Sequence, residues 1–185
     1  MAINVLITVN ANLIVDKKGY TGTEDSPISL GANKTSDNFV SMIAQNSVVK
    51  SNDGKSELEI QANSNDTITW SINTFDNMSD HSASLYGGHF SDIKGKQTIS
   101  ALTYSSNPIA CSLPKENAEN PLKPGAIERF QNQVCSVSGK VIYLPPTSKN
   151  DKVTYHMRFR LTDATGKKVG YFKWDPFIKI TPLNP

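Results

Sequence analysis

The chain has 185 residues, 19 of them basic and 17 acidic, for a formal net charge of +2. That balance excludes nucleic acid or an anionic membrane as a default partner, and the length suits one domain, residues 1–185, around one core. Charged residues are only 19% of the chain, so Ser, Thr and Asn must supply much of the polar surface; they suit strands and turns better than helix interiors, and the composition points to an all-β fold.

Along the chain, Ile3, Val5, Ile7 and Val9 alternate on one side with Leu6 on the other. This predicts a first strand buried on both faces over part of its length. The opening has no basic leader, and Asn10 and Asn12 interrupt its apolar run, so it reads as a strand rather than a signal peptide. No run has the length of a membrane span. Residues 16–34 read as a polar loop, and residues 39–44 and 47–50 as short strands. Asn52-Asp53-Gly54 is a hairpin turn signal. Residues 56–62 and 67–74 alternate cleanly around a short polar turn, which predicts an antiparallel hairpin with Trp70 as a core anchor.

Residues 81–90 hold a strand broken at Gly87-Gly88, and residues 98–104 another. Four prolines between 108 and 124 suggest an irregular excursion, and 125–132 the chain's single helical turn. A long strand follows over 134–144, with Gly139 as a bulge candidate. Residues 152–163 give the cleanest alternation, residues 163–166 turn, and 167 onward pairs back, with 177–181 as the last strand. About ten strands at this spacing predict a single-domain antiparallel β-sandwich, jelly-roll-like, with at most one short helical turn.

Few residues carry chemical signals. No G-x-S-x-G, H-E-x-x-H or C-x-x-C motif occurs, and Gly31 to Thr35 lacks a phosphate-cradling glycine loop. We therefore expect no catalytic residues, no metal ligands and no enzyme. His81, His89 and His156 read as scattered surface histidines rather than a metal or acid–base group. Cys111 and Cys135 are structural thiols or a bridge tying the proline-rich stretch to a strand. Asp76, Asn77 and Asp80, or Asp163 and Asp175, offer oxygen ligands for Ca²⁺, with plain Asx turns as the leading reading. Arg158 and Arg160 form a basic stripe read as a solvated sheet face. Tyr171, Phe172, Trp174 and Phe177 put four aromatics in seven residues around an Asp175-Pro176 step. Phe172 and Trp174 share a face and read as core, with Asp175 bonding the backbone or an indole. The alternative makes Tyr171, Trp174 and Asp175 a stacking platform for a sugar ring.

The opening INVLITVN, the strand DTITW over 66–70 and the closing order YHMRFRLTD…GKKVGYFKWDPFIKI together resemble the bacterial inclusion body protein family of PixA/AidA-like proteins. The specific part is Gly170, Tyr171, Phe172, Trp174, Asp175, Pro176, Phe177 and Ile178. The resemblance implies a cytoplasmic, non-enzymatic protein of stationary phase or quorum sensing, self-assembling as homodimers into crystalline inclusions. It implies no catalytic residues and no cofactor. The alternative is a carbohydrate-binding, lectin- or adhesin-like sandwich assisted by Ca²⁺, with a glycan as partner.

Overall fold

The computed structural model describes residues 1–31, 33–76, 79–90, 99–115, 123, 125–142 and 152–181. Strand β1 (Ala2–Val9) leads into helix α1 (Ala11–Lys18), then the short β2 (Ile28–Ser29) and a 3-10 helix over Asn33–Asn38. Strands β3 (Val40–Ala44), β4 (Val49–Ser51), β5 (Glu59–Asn63), β6 (Thr67–Thr74) and β7 (His81–Phe90) follow. The chain then runs through β8 (Thr103–Pro114), β9 (Ile127–Lys140), β10 (Lys152–Asp163), β11 (Lys168–Trp174) and β12 (Phe177–Thr181). These strands form two sheets. The first has the order β3-β1-β6-β9-β8; in the second, β10 lies between β7 and the line formed by β11 and β12, with β2 beside β11 and β5-β4 beside β12.

The all-β expectation holds, with three corrections to its detail. The sheets are mixed rather than antiparallel: β1 pairs parallel with β6, β2 with β11, and β5 with β12. Residues 56–62 and 67–74 do not form a hairpin, since β5 and β6 sit in different sheets. The backbone of the turn between them bonds elsewhere. Asn65 N donates to Val141 O at 2.8 Å, and Val141 N donates to Asp66 O at 2.8 Å. Asn65 takes a left-handed φ of 70°, and the buried Asp66 accepts from Asn63 N at 2.8 Å, which fixes the crossing between sheets. Finally, the helix is α1 and not residues 125–132, which belong mostly to β9. Asn10 caps α1 by accepting from Leu13 N at 3.1 Å, and Lys17 and Lys18 lie at its C-terminal end.

Local chemistry explains the other departures. Pro108 lies inside β8, an edge strand, where a missing N–H costs no ladder bond if it faces outward. Gly139 keeps regular pairing with Ile68 and makes no bulge; a Cβ there would come 2.5 Å from Ile99 Cγ2. The irregularity in β7 comes earlier: Arg158 pairs with Gly87 and Phe159 with Leu85, so Tyr86 is the extra residue of a bulge. β1 is buried on one face only, with Leu6 44% exposed.

Between the sheets, Ile3, Ile7 and Trp70 of the first meet Tyr155, Phe159, Phe172 and Trp174 of the second, all at most 1% exposed. The Trp70 indole N–H donates to Tyr155 Oη at 3.1 Å, and burial pushes the Tyr155 phenol well above its ordinary value. Tyr155→Phe removes this buried hydrogen bond and is expected to cost about 1–3 kcal/mol in a urea melt.

Candidate functional site

The sequence singled out the closing aromatic segment, and its geometry starts from register. Met157 faces Trp174, and further along β10 Thr154 faces Phe177. β11 and β12 are thus one line of chain against β10, with Asp175-Pro176 set opposite Tyr155 and His156. Pro176 has no N–H to give the ladder, though its carbonyl accepts from Tyr155 N at 3.1 Å. At that point side chains join the strands: the Asp175 carboxylate bonds His156 Nδ1. Among the described residues this imidazole, rather than the backbone or an indole, is the partner of Asp175. Both groups are half-buried, and a bond at Nδ1 leaves Nε2 as the ring's other polar position.

His81 stands apart from the other two histidines, opposite Asp163 at the far end of β7. On the other side of β10, the register sets His89 opposite His156. His81 lies with Nδ1 3.9 Å from Asp76 Oδ2. A histidine oriented by a carboxylate is the form used in acid–base chemistry. Among the described residues, however, no group of three His, Cys, Asp or Glu side chains could hold a metal ion.

The proposed platform of Tyr171, Trp174 and Asp175 is not assembled. Trp174 is fully buried and its indole N–H donates to Met42 Sδ at 3.4 Å. Tyr171 lies on the opposite, outer face, edge-on to Tyr86 at 5.2 Å between centroids, with Lys168 Nζ 5.7 Å from its ring. Tyr86 Oη donates to Glu24 O at 3.2 Å; burial raises its phenol above the ordinary value, and Arg158 opposes that shift. Arg158 and Arg160 share this outer face opposite Lys173 and Tyr171. Each buries its Nε without a hydrogen-bond partner among the described residues, so the stripe is more enclosed than a plainly solvated face.

Cys135 is an exposed free thiol. The ladder sets it opposite Ser106, while Cys111 faces Phe130. Five strand positions separate them, about 17 Å, so a bridge within the chain is out of reach. Instead Cys135 lines a cavity of about 320 Å³ where β7 faces β8 and β9. Leu85, Tyr104, Ser106 and Val137 line it too. No spacing in the sequence announced this cavity, because its walls come from three strands in two sheets.

The oxygen-rich loops serve the backbone. Asp163 Oδ1 accepts from Thr165 N at 2.9 Å, Thr165 Oγ1 at 2.6 Å and Lys167 N at 3.0 Å. The Thr165 hydroxyl bond leads in holding this carboxyl below its usual value. Asp76 bonds Thr74 Oγ1 and accepts from Asp80 N at 3.3 Å; Asn77 lies outside the described residues.

Comparison with known proteins adds two findings. The family model for the inclusion body protein PixA matches residues 1–180. A crystal structure of a PixA-family inclusion body protein from Burkholderia cenocepacia J2315 superposes with a TM-score of 0.72 at 16% identity. That match covers 98% of this chain and 96% of the other, and at such identity it speaks for the fold. No curated protein matches. No helix among the described residues is long and apolar enough to cross a membrane.

Proposed function

We propose that this chain, which belongs to the PixA inclusion body protein family, is a non-enzymatic protein that self-assembles into ordered inclusions in the bacterial cytoplasm. The observation that carries this reading is the family match over nearly the whole length. Two physical features support it. A net charge of +2 on 185 residues gives little colloidal repulsion. The polar residues singled out by sequence are also engaged in holding strands and turns, as Asp175, Asp163 and Asp76 illustrate. Accumulation in stationary phase or under quorum control belongs to the same proposal, as does a homodimer as the unit of assembly.

Glycan binding is the second reading, and the cavity beside Cys135 favours it. A volume near 320 Å³ lies at the small end of ligand sites, and Tyr104 supplies an aromatic wall. Two measurements on purified protein separate the readings. Light scattering over a concentration series should show a mass that climbs with concentration. A glycan array, run with and without Ca²⁺, should stay blank. A constant mass together with a glycan signal would overturn self-assembly in favour of the second reading.

A further inference from the structure

The outer face of the first sheet has an unusual chemistry. One row across its five strands reads Ile43, Leu6, Ser71, Ser136 and Ser105, each in register with the next. The adjacent row reads Asn4, Thr69, Ser138 and Thr103. On the other side, Thr8 stands between Ser41 and Asn73. None of these side chains is charged. All are exposed or half-buried, and Leu6 and Ile43 stand 44% and 47% exposed side by side. Hydroxyls pair across the strands, Thr69 with Ser138 at 3.0 Å and Ser105 with Ser136 at 2.9 Å. Among the described residues, charge stands beyond these rows, as where Lys140 faces Thr67.

A solvent face normally mixes charges of both signs, which keeps sheets from stacking. The second sheet's outer face is charged too, though with one sign, through Arg158, Arg160, Lys168 and Lys173. A basic face repels its own image. An uncharged face of hydroxyls does not, because Ser and Thr both donate and accept and can therefore meet identical rows. A two-fold contact demands a patch that complements itself. Of the two outer faces, the first sheet's meets that demand.

We infer that this neutral face is where one copy of the chain packs against a second. The inference rests on the self-assembly reading and assigns it a surface. Five strands and three rows span about 500 Å² at ordinary strand and residue spacings. A standard stable interface buries about 800 Å² per partner. The contact should therefore be weak, filled at the concentrations inside an inclusion and undone by dilution.

Placing a charge at the centre tests this. Ser71→Lys would bring two ammonium groups together across the two-fold and is expected to lower the association constant about tenfold or more by sedimentation equilibrium. Asn4→Lys, at an exposed position of the next row, should act the same way and covers any folding defect of the first variant. Thr162→Lys puts the same charge on the other sheet and should change association by less than roughly twofold. Should S71K and N4K, both with wild-type melting curves, associate as wild type does, the face assignment is wrong while self-assembly stands. A wild-type protein that stays at monomer mass at every concentration removes self-assembly and this surface with it.

Discussion

Trp174→Ala is expected to destabilise the protein by about 3–5 kcal/mol, lowering the melting temperature by roughly 10 °C or more. The indole is fully buried, packs edge-on to Phe159 at 5.6 Å and gives its N–H to Met42 Sδ. It comes from the second sheet and Met42 from the first, so the side chain ties the layers together. Alanine leaves a cavity that neighbouring strands, each held by its ladder, cannot close. Trp174→Phe should lose much less, because it keeps most of the ring volume. Thermal melts of the two variants decide the matter. An unchanged melting temperature for W174A would mean that the tryptophan is not a core residue.

The second large effect is expected at Gly170. A Cβ there would overlap the carbonyl oxygen of Thr21 and lie 2.9 Å from Phe172 Cζ. Thr21 O is also the acceptor for Tyr171 N at 3.1 Å, so the loop after α1 is bonded to β11 at this spot. Gly22 makes the reciprocal approach: its φ is +82°, and a Cβ would sit 2.5 Å from Tyr171 O. The loop and the strand therefore meet backbone to backbone through a glycine on each side. Backbone cannot swing aside as a flexible side chain can. Gly170→Val should cost about 3 kcal/mol and release the loop. Hydrogen exchange would show this as faster exchange of the Tyr171 amide. Protection equal to wild type would show that the loop contributes nothing there.

Strands whose two faces differ were legible in the sequence. β6 and β10 alternate along their whole length, and the Asp163 to Gly166 turn signal placed β11 against β10 correctly. Helix α1 has no such signal, because eight residues are too few for a clear period and Asn10 reads only as an interruption of the opening apolar run. The same residue is an N-cap, with lysines in the last turn and Gly19 just beyond, which is the signal that would have found it. Sheet membership had no local signal. The parallel partners β1 and β6, and β5 and β12, are far apart in sequence, so alternation gave each strand its faces but not its neighbours. Proline misled at β8, since a sequence does not mark which strand will be an edge.

The His156–Asp175 pair was closer to hand. Once β11 is paired with β10, the same register carried one residue past Met157–Trp174 sets Asp175 opposite His156. The proline hides that step in the sequence, yet the line of chain continues through it from β11 to β12 along β10. The neutral face was visible in fragments, as the Thr and Ser positions of β6. It became a surface only when β1, β8 and β9 took their places beside it. The closing aromatics divide similarly: Phe172 and Trp174 are core, as alternation predicts, while Tyr171 faces outward on a basic surface.

The central claim, ordered self-assembly of a folded protein, is tested most directly by diffraction from inclusions isolated from cells expressing the chain. The account predicts sharp reflections from a lattice of folded molecules, which dissolve on dilution into protein with a cooperative thermal transition. A uniformly soluble product, or deposits giving only the ~4.7 Å and ~10 Å cross-β spacings, would contradict it.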